Sequence, residues 1–220
     1  MAPVVAIAPL AHASPVFYFA ADAPYLSFND SPFESVLAAG DFSYWVFKDF
    51  QDNSLDFGPG VSFTPGYTIY ADGLGSLADS VEFTGDPPTG HSLFGGGLFY
   101  LDFATGPGLL DNLPTHVGMV WTDGQAPAIT FEAFDRHGVS LGSVTGHHAD
   151  GSITGTTDED RFYGVFFADG IARVTLSSSG AYQEIDHIQF GHAIPEPAAA
   201  LLLAAGVLGL VLARRRRRRP

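Results

Sequence analysis

"FYGVFFADGIARVTL", residues Phe162–Leu176, holds the fold class of this chain in miniature. Two short apolar runs, Phe162–Phe167 and Ile171–Leu176, flank an Asp169-Gly170 pair. Both runs are rich in aromatic and β-branched residues, which suit a pleated surface. Both are too short for an ordinary helix, and the glycine between them takes up positive φ at little steric cost. The stretch reads as strand, turn, strand.

The same texture recurs along the chain. Phe99–Phe103, Val117–Thr122, Ile129–Phe134 and Gln183–Phe190 are further candidate strands, with fainter ones at Phe17–Phe19, Tyr44–Phe47 and Thr68–Tyr70. Asp72-Gly73, Asp123-Gly124 and Asp150-Gly151 supply more turns. Gly138–Asp160, rich in Gly, His, Ser and Thr, reads as a long exposed connection. Residues 14–192 have the length of one domain. Regular short strands with turn signals predict an all-β fold, a single jelly-roll-like β-sandwich, although length alone also allows a closed barrel.

Both ends have a different texture. Ala198–Ala213 contains 16 residues and no charged or polar side chain. As a helix it would be roughly 24 Å long, slightly short of the usual span of about 20 residues. A short helix still spans by thinning the lipid, so residues 198–213 are expected to form one C-terminal transmembrane helix. Arg214, Arg215, Arg216, Arg217, Arg218 and Arg219 follow it directly, and the positive-inside rule places them in the cytoplasm and the preceding chain outside. At the other end Met1–Leu10 is mostly apolar, and Ala11-His12-Ala13 matches a small-x-small cleavage pattern before Ser14. No basic residue precedes it, so residues 1–13 read as a truncated signal peptide whose start lies upstream of Met1.

The charge balance supports export without choosing a ligand. Residues 1–193 hold four cationic side chains (Lys48, Arg136, Arg161, Arg173) against 23 carboxylates, a net −19. Such a body repels nucleic acid and favours cations. Cysteine is absent, so no disulfide or thiolate metal site exists.

Ile194-Pro195-Glu196-Pro197, the apolar segment and the arginine cluster occur in that order. Together they resemble the PEP-CTERM sorting signal of exported Gram-negative bacterial proteins. The resemblance implies that an exosortase in the inner membrane recognises the tail and cleaves near Pro195, Glu196 and Pro197. It further implies a mature protein at the cell surface or in the extracellular matrix, often of exopolysaccharide producers. The physics of the motif agrees: Pro195 and Pro197 hold the preceding residues extended, the form a protease groove accepts. Leu113–Gly124, Phe131–Gly142, Glu159–Gly164 and Glu184–Gly191 also resemble a recurrent ectodomain of such proteins, to which no activity attaches.

Signs of catalysis are few. His147-His148 is the most conspicuous pair, but neighbours on an extended chain point oppositely, and no zinc spacing occurs; exposed loop histidines are the expectation. Gly-x-Ser-x-Gly is missing. A structural calcium has more support. Alternation in Gln183–Phe190 places Glu184, Asp186, Ile188 and Phe190 on one face, read as the core face. A carboxylate entering a core must be paired, protonated or bound to metal, and calcium prefers such oxygens. Resemblance to jelly-roll carbohydrate-binding modules adds Glu34 as an early-loop ligand; the competing reading bonds Asp186 to backbone amides. Trp121, in an apolar strand, is expected to be buried, whereas Trp45 and the eight tyrosines are not placed.

The sequence therefore predicts a non-catalytic exported surface or matrix protein. The alternatives are a carbohydrate-binding module for exopolysaccharide and a glycan hydrolase. A clustered aromatic patch favours the first, and two carboxylates about 5–10 Å apart in a cleft favour the second.

Overall fold

A computed structural model describes residues 14–71, 80, 81, 90–151 and 157–194. Among them ten strands build one sheet: β1 (Val16–Phe19), β2 (Phe42–Lys48), β3 (Val61–Phe63), β4 (Thr68–Ala71), β5 (His91–Phe103), β6 (His116–Gly124), β7 (Ile129–Phe134), β8 (Ser140–Gly146), β9 (Arg161–Phe166) and β10 (Arg173–Ala193). The main path runs β1-β9-β6-β10-β5-β3, while β2 and β7 join β10, β4 joins β5 and β8 joins β7. The all-β expectation holds. The signal segment with Ala11 and Ala13, the motif Pro195–Pro197, the apolar segment 198–213 and the arginines lie outside the described residues. Among the described residues no helix is long and apolar enough to cross a membrane.

One strand makes the sheet sandwich-like. The first part of β10, Arg173–Ser178, pairs with β7, and Arg173–Ser177 pairs with β5. Its later part pairs with β6, and from Ile188 to Ala193 with β2. The sequence showed two strands here, Ile171–Leu176 and Gln183–Phe190. The chain instead continues between them, and the irregularity between Ser177 and Tyr182 is absorbed as a register shift against β5. A second shift against β6 falls between Asp186 and Gln189, where His187 has a φ of 45°.

The core explains why β6 lacks alternation. All nine of its residues are buried. Val117, Met119 and Trp121 enter the main core with Phe131, Tyr163 and Ile185. Val120 enters a second cluster on the other face, with Tyr25, Phe33, Val81 and Phe162. A strand covered on both faces reads as a continuous apolar run. Trp121 is fully buried, as expected. Gly118 and Gly164 lie opposite each other in the β6–β9 pair, and a Cβ on either would run into the Phe162 ring.

Four features depart from the sequence reading. Ser140–Gly146, within the expected exposed connection, forms β8, because β7 offers it an edge and Leu141 and Val144 pack on the core. β5 begins at His91 rather than Phe99, and its register against β10 shifts at Gly97, between Gly96 and Leu98. A short helix, α1 (Glu34–Ala39), follows Phe33. Asp123-Gly124 is the end of β6 rather than a free turn.

Candidate functional site

Three neighbouring strands set the site by register. Tyr70 of β4 lies opposite Ser92 of β5; Phe94 of β5 lies opposite Glu184 of β10; Tyr182 of β10 lies opposite Gly96. Opposed residues of antiparallel strands share a face, and so do alternate residues along one strand. Tyr70, Ser92, Phe94, Tyr182 and Glu184 therefore stand on one outer face, while Ile69, Leu93 and Ile185 turn to the core. Diagonal neighbours bring the rings together. Tyr70 and Phe94 have centroids 5.2 Å apart, and Phe94 and Tyr182 are stacked at 5.5 Å and 18°. Tyr70 and Tyr182 each keep 51% of their surface in solvent. The result is a row of three aromatics with open outer ends.

A cavity of about 80 Å³ adjoins the row. Phe94 and Tyr182 form its aromatic side, and Asp123, Gln125, Gln183 and Glu184 contribute its polar side. Glu184 is buried, and its Oε2 accepts a 3.0 Å hydrogen bond from the Ser92 hydroxyl. Gln183 donates from Nε2 to the Tyr67 hydroxyl at 2.8 Å, which anchors this part of β10 to the core.

Behind the cavity, Asp123 faces Glu159. Both are nearly sealed from solvent. Oδ1 of Asp123 accepts the Gly124 amide, and Oε2 of Glu159 accepts the Asp150 amide at 2.8 Å. Oδ2 of Asp123 receives no donor from elsewhere. Burial pushes Asp123 up to about 6, with the Asp150 charge adding to it. Burial pushes Glu159 up to about 7, with the charges of Asp123 and Asp150 adding to it. Two such carboxyls cannot both ionise cheaply, so they hold a proton between them near neutral pH.

The calcium reading fares differently. The shift at His187 changes the phase of β10: Ile188 and Phe190 belong to the core, but Glu184 is on the outer face. The expected common face of Glu184, Asp186, Ile188 and Phe190 is thus broken by the bulge. Asp186 takes backbone amides, those of Val81 at 3.1 Å and His187 at 2.7 Å, as the competing reading required. Glu34 is exposed in the first turn of α1. Among the described residues no three His, Asp or Glu side chains are grouped so as to hold a metal ion.

The two adjacent histidines do point apart. His147 is exposed with Nδ1 2.8 Å from the Pro127 carbonyl oxygen. His148 corrects the expectation of an exposed loop residue: its ring packs edge-on against Trp121, and its Nδ1 lies 3.3 Å from the Tyr163 hydroxyl. Burial lowers it to about 4, helped by the Arg161 charge.

Comparison with known proteins places the chain only loosely. No family model and no curated protein matches it. Among solved structures, the K1 cleaved adhesin domain of Lys-gingipain from Porphyromonas gingivalis W83 is 12% identical, covers 68% of this chain and 99% of its own, and has a TM-score of 0.42. The enzymatically active domain of tailspike protein 4 from bacteriophage CBA120 is 15% identical over 67% of this chain and 21% of its own, at a TM-score of 0.34. TmCBM61, solved with β-1,4-galactotriose, is 16% identical over 70% of this chain and 92% of its own, at 0.29. At these scores the likeness carries no functional argument.

Proposed function

We propose that this chain is an exported, non-catalytic carbohydrate-binding protein of the cell surface or extracellular matrix. Its body is a jelly-roll-like sandwich, and a PEP-CTERM signal at Pro195–Pro197, with the apolar segment and Arg214–Arg219, delivers it. The observation that carries the binding reading is the exposed aromatic row beside a mostly apolar cavity that Asp123, Gln125, Gln183 and Glu184 also line. A pyranose ring has a face of C–H bonds that rests on the negative face of an aromatic ring, while polar groups at the rim fix its hydroxyls.

A hydrolase has less support. Inverting and retaining glycosidases hold their two carboxyls about 5–9.5 Å apart with substrate between them. Asp123 and Glu159 are instead in hydrogen-bonding contact and nearly sealed. Affinity electrophoresis against a panel of soluble polysaccharides, neutral and charged, tests the binding reading. Retardation that Tyr182→Ala removes is expected; no retardation by any polysaccharide sinks it.

A further inference from the structure

We infer that the cavity beside the aromatic row takes the acetamido group of an N-acetylhexosamine, so that the row selects glycans built from that sugar. This rests on the carbohydrate-binding reading above and deepens it. Stacking alone does not choose among sugars, because every pyranose has an apolar face. The choice comes from the cavity.

Size decides what can enter. Pockets that hold a whole small molecule measure about 300–1,000 Å³, whereas a single water needs about 10–15 Å³. At about 80 Å³ the cavity is too small for a pyranose ring and large enough for a short substituent. Tyr182 lines it and also keeps half its own surface in solvent, so a sugar resting on that ring sits beside the cavity. A substituent on the sugar's edge is what reaches inside.

Chemistry decides which substituent. The lining is mostly apolar, with Phe94 and Tyr182 supplying the rings. An ammonium, carboxylate or sulfate would lose its water there without an equivalent return, whereas a methyl group gains by leaving water. One lining residue adds a polar demand. Gln183 is fully buried, and its Nε2 is committed to the Tyr67 hydroxyl at 2.8 Å and the Leu176 carbonyl at 3.1 Å. Its Oε1 accepts no hydrogen bond among the described residues. A buried acceptor without a donor is costly, and a ligand that brings an N–H relieves that cost. The acetamido group carries a methyl and an N–H together. A 6-deoxy methyl or an O-acetyl ester lacks the N–H, and a free amine lacks the methyl. Gln125, exposed on the same cavity, has a side-chain NH₂ to offer the acetamido carbonyl.

The test titrates β-1,4-linked hexamers of N-acetylglucosamine, glucosamine and glucose calorimetrically into the full-length chain in detergent. The N-acetyl hexamer should bind at least about tenfold more tightly than either of the others, the lower end of what a methyl-sized group contributes in an apolar pocket. The advantage over the glucose hexamer should persist at high salt, because neither ligand is charged. Gln183→Met keeps an unbranched side chain of similar length without the acceptor, and should weaken N-acetyl hexamer binding about tenfold. If that variant does not fold, a glucose hexamer acetylated on its 2-hydroxyls replaces it: the ester keeps the methyl and carbonyl, lacks the N–H, and should bind wild type more weakly than the N-acetyl hexamer. Equal affinity for the N-acetyl and glucose hexamers, tighter binding of the glucosamine hexamer, or an N-acetyl affinity unchanged by Gln183→Met overturns the inference and leaves the glycan reading standing. Absence of binding by all the hexamers, together with every polysaccharide of the panel, overturns both.

Discussion

The Phe94 and Tyr182 rings stack across β5 and β10 at 5.5 Å, yet Tyr182 leaves half its surface in solvent. Its inner face is therefore occupied and its outer face open. Tyr182→Ala should lower glycan affinity at least about tenfold, the usual consequence of losing an aromatic anchor. The stability cost should stay near 1 kcal/mol, because a ring pair contributes about 0.5–1.5 kcal/mol beyond area. Tyr182→Phe, which keeps the ring, should retain most of the binding. Calorimetric titration and thermal melts of the two variants separate these effects, and equal binding by Tyr182→Ala and wild type would remove the site.

The facing carboxyls Asp123 and Glu159 make stability depend on pH. Their folded values, about 6 and about 7, are raised from 3.8 and 4.5. A raised value means stabilisation that is complete below about pH 4 and lost as pH climbs through 6 to 7. His116 and His148 oppose this, since burial lowers each from 6.5 to about 4 and their contribution is lost as pH falls through that window. Glu159→Gln isolates the carboxyl part. Its amide can donate to Asp123, and its oxygen can still accept the Asp150 amide. The variant should melt higher than wild type at pH 8 and lose that advantage by pH 5. Parallel melting curves for the two proteins across pH 5–8 would mean that the pair does not share a proton.

Gly118 is a test of the second core cluster. Its cross-strand partner is Gly164, and the rings of Phe162 and Phe33 cover both. Gly118→Ala pushes a methyl group into the Phe162 ring, and overpacking of this kind costs roughly 1–3 kcal/mol. The melting temperature should fall by about 3–10 °C for a chain of this size. Gly96→Ala is the control, because a Cβ there meets nothing within 4 Å. Equal melting temperatures for the two variants would show that the rings do not lie over Gly118.

These three sites differ in how far the sequence disclosed them. The apolar runs of β6, β7 and β9 were legible, Ile129–Phe134 to the residue, because aromatic and β-branched residues cluster where two faces or one are buried. The aromatic row was not. Its rings are 24 and 88 residues apart along the chain (Tyr70 to Phe94, Phe94 to Tyr182), and only the β4–β5–β10 register brings them together. Gly95–Gly97 and the shift between Ser177 and Tyr182 hid the strand phase that would have marked Phe94 and Tyr182 as outward-facing. The same limit misplaced Glu184, since strict alternation fails at His187. Asp123 and Glu159 met for a tertiary reason that no spacing rule contains.

The sorting reading has a structural neighbour in β10. That strand pairs with β2 as far as Ala193, and the Ile194 amide donates to the Asp41 carbonyl at 2.8 Å. The ordered sheet thus reaches the residue just before Pro195. Three residues, Pro195–Pro197, lie between it and the apolar segment, at most about 11 Å of chain even when extended. If an exosortase reads this tail, removing Arg214–Arg219 should leave uncleaved precursor in the native host, because the positive cluster fixes the orientation in which the motif is presented outside. Immunoblotting of membrane and medium fractions measures this, with normal release of the deletion variant as the contrary result. A foreign host without the exosortase should keep the whole chain intact and membrane-bound. A spacer of about six glycine and serine residues after Ile194 should not block cleavage in the native host, since the motif and its order stay unchanged. Failure of the spacer variant alone would mean that the enzyme reads the end of β10 together with the motif.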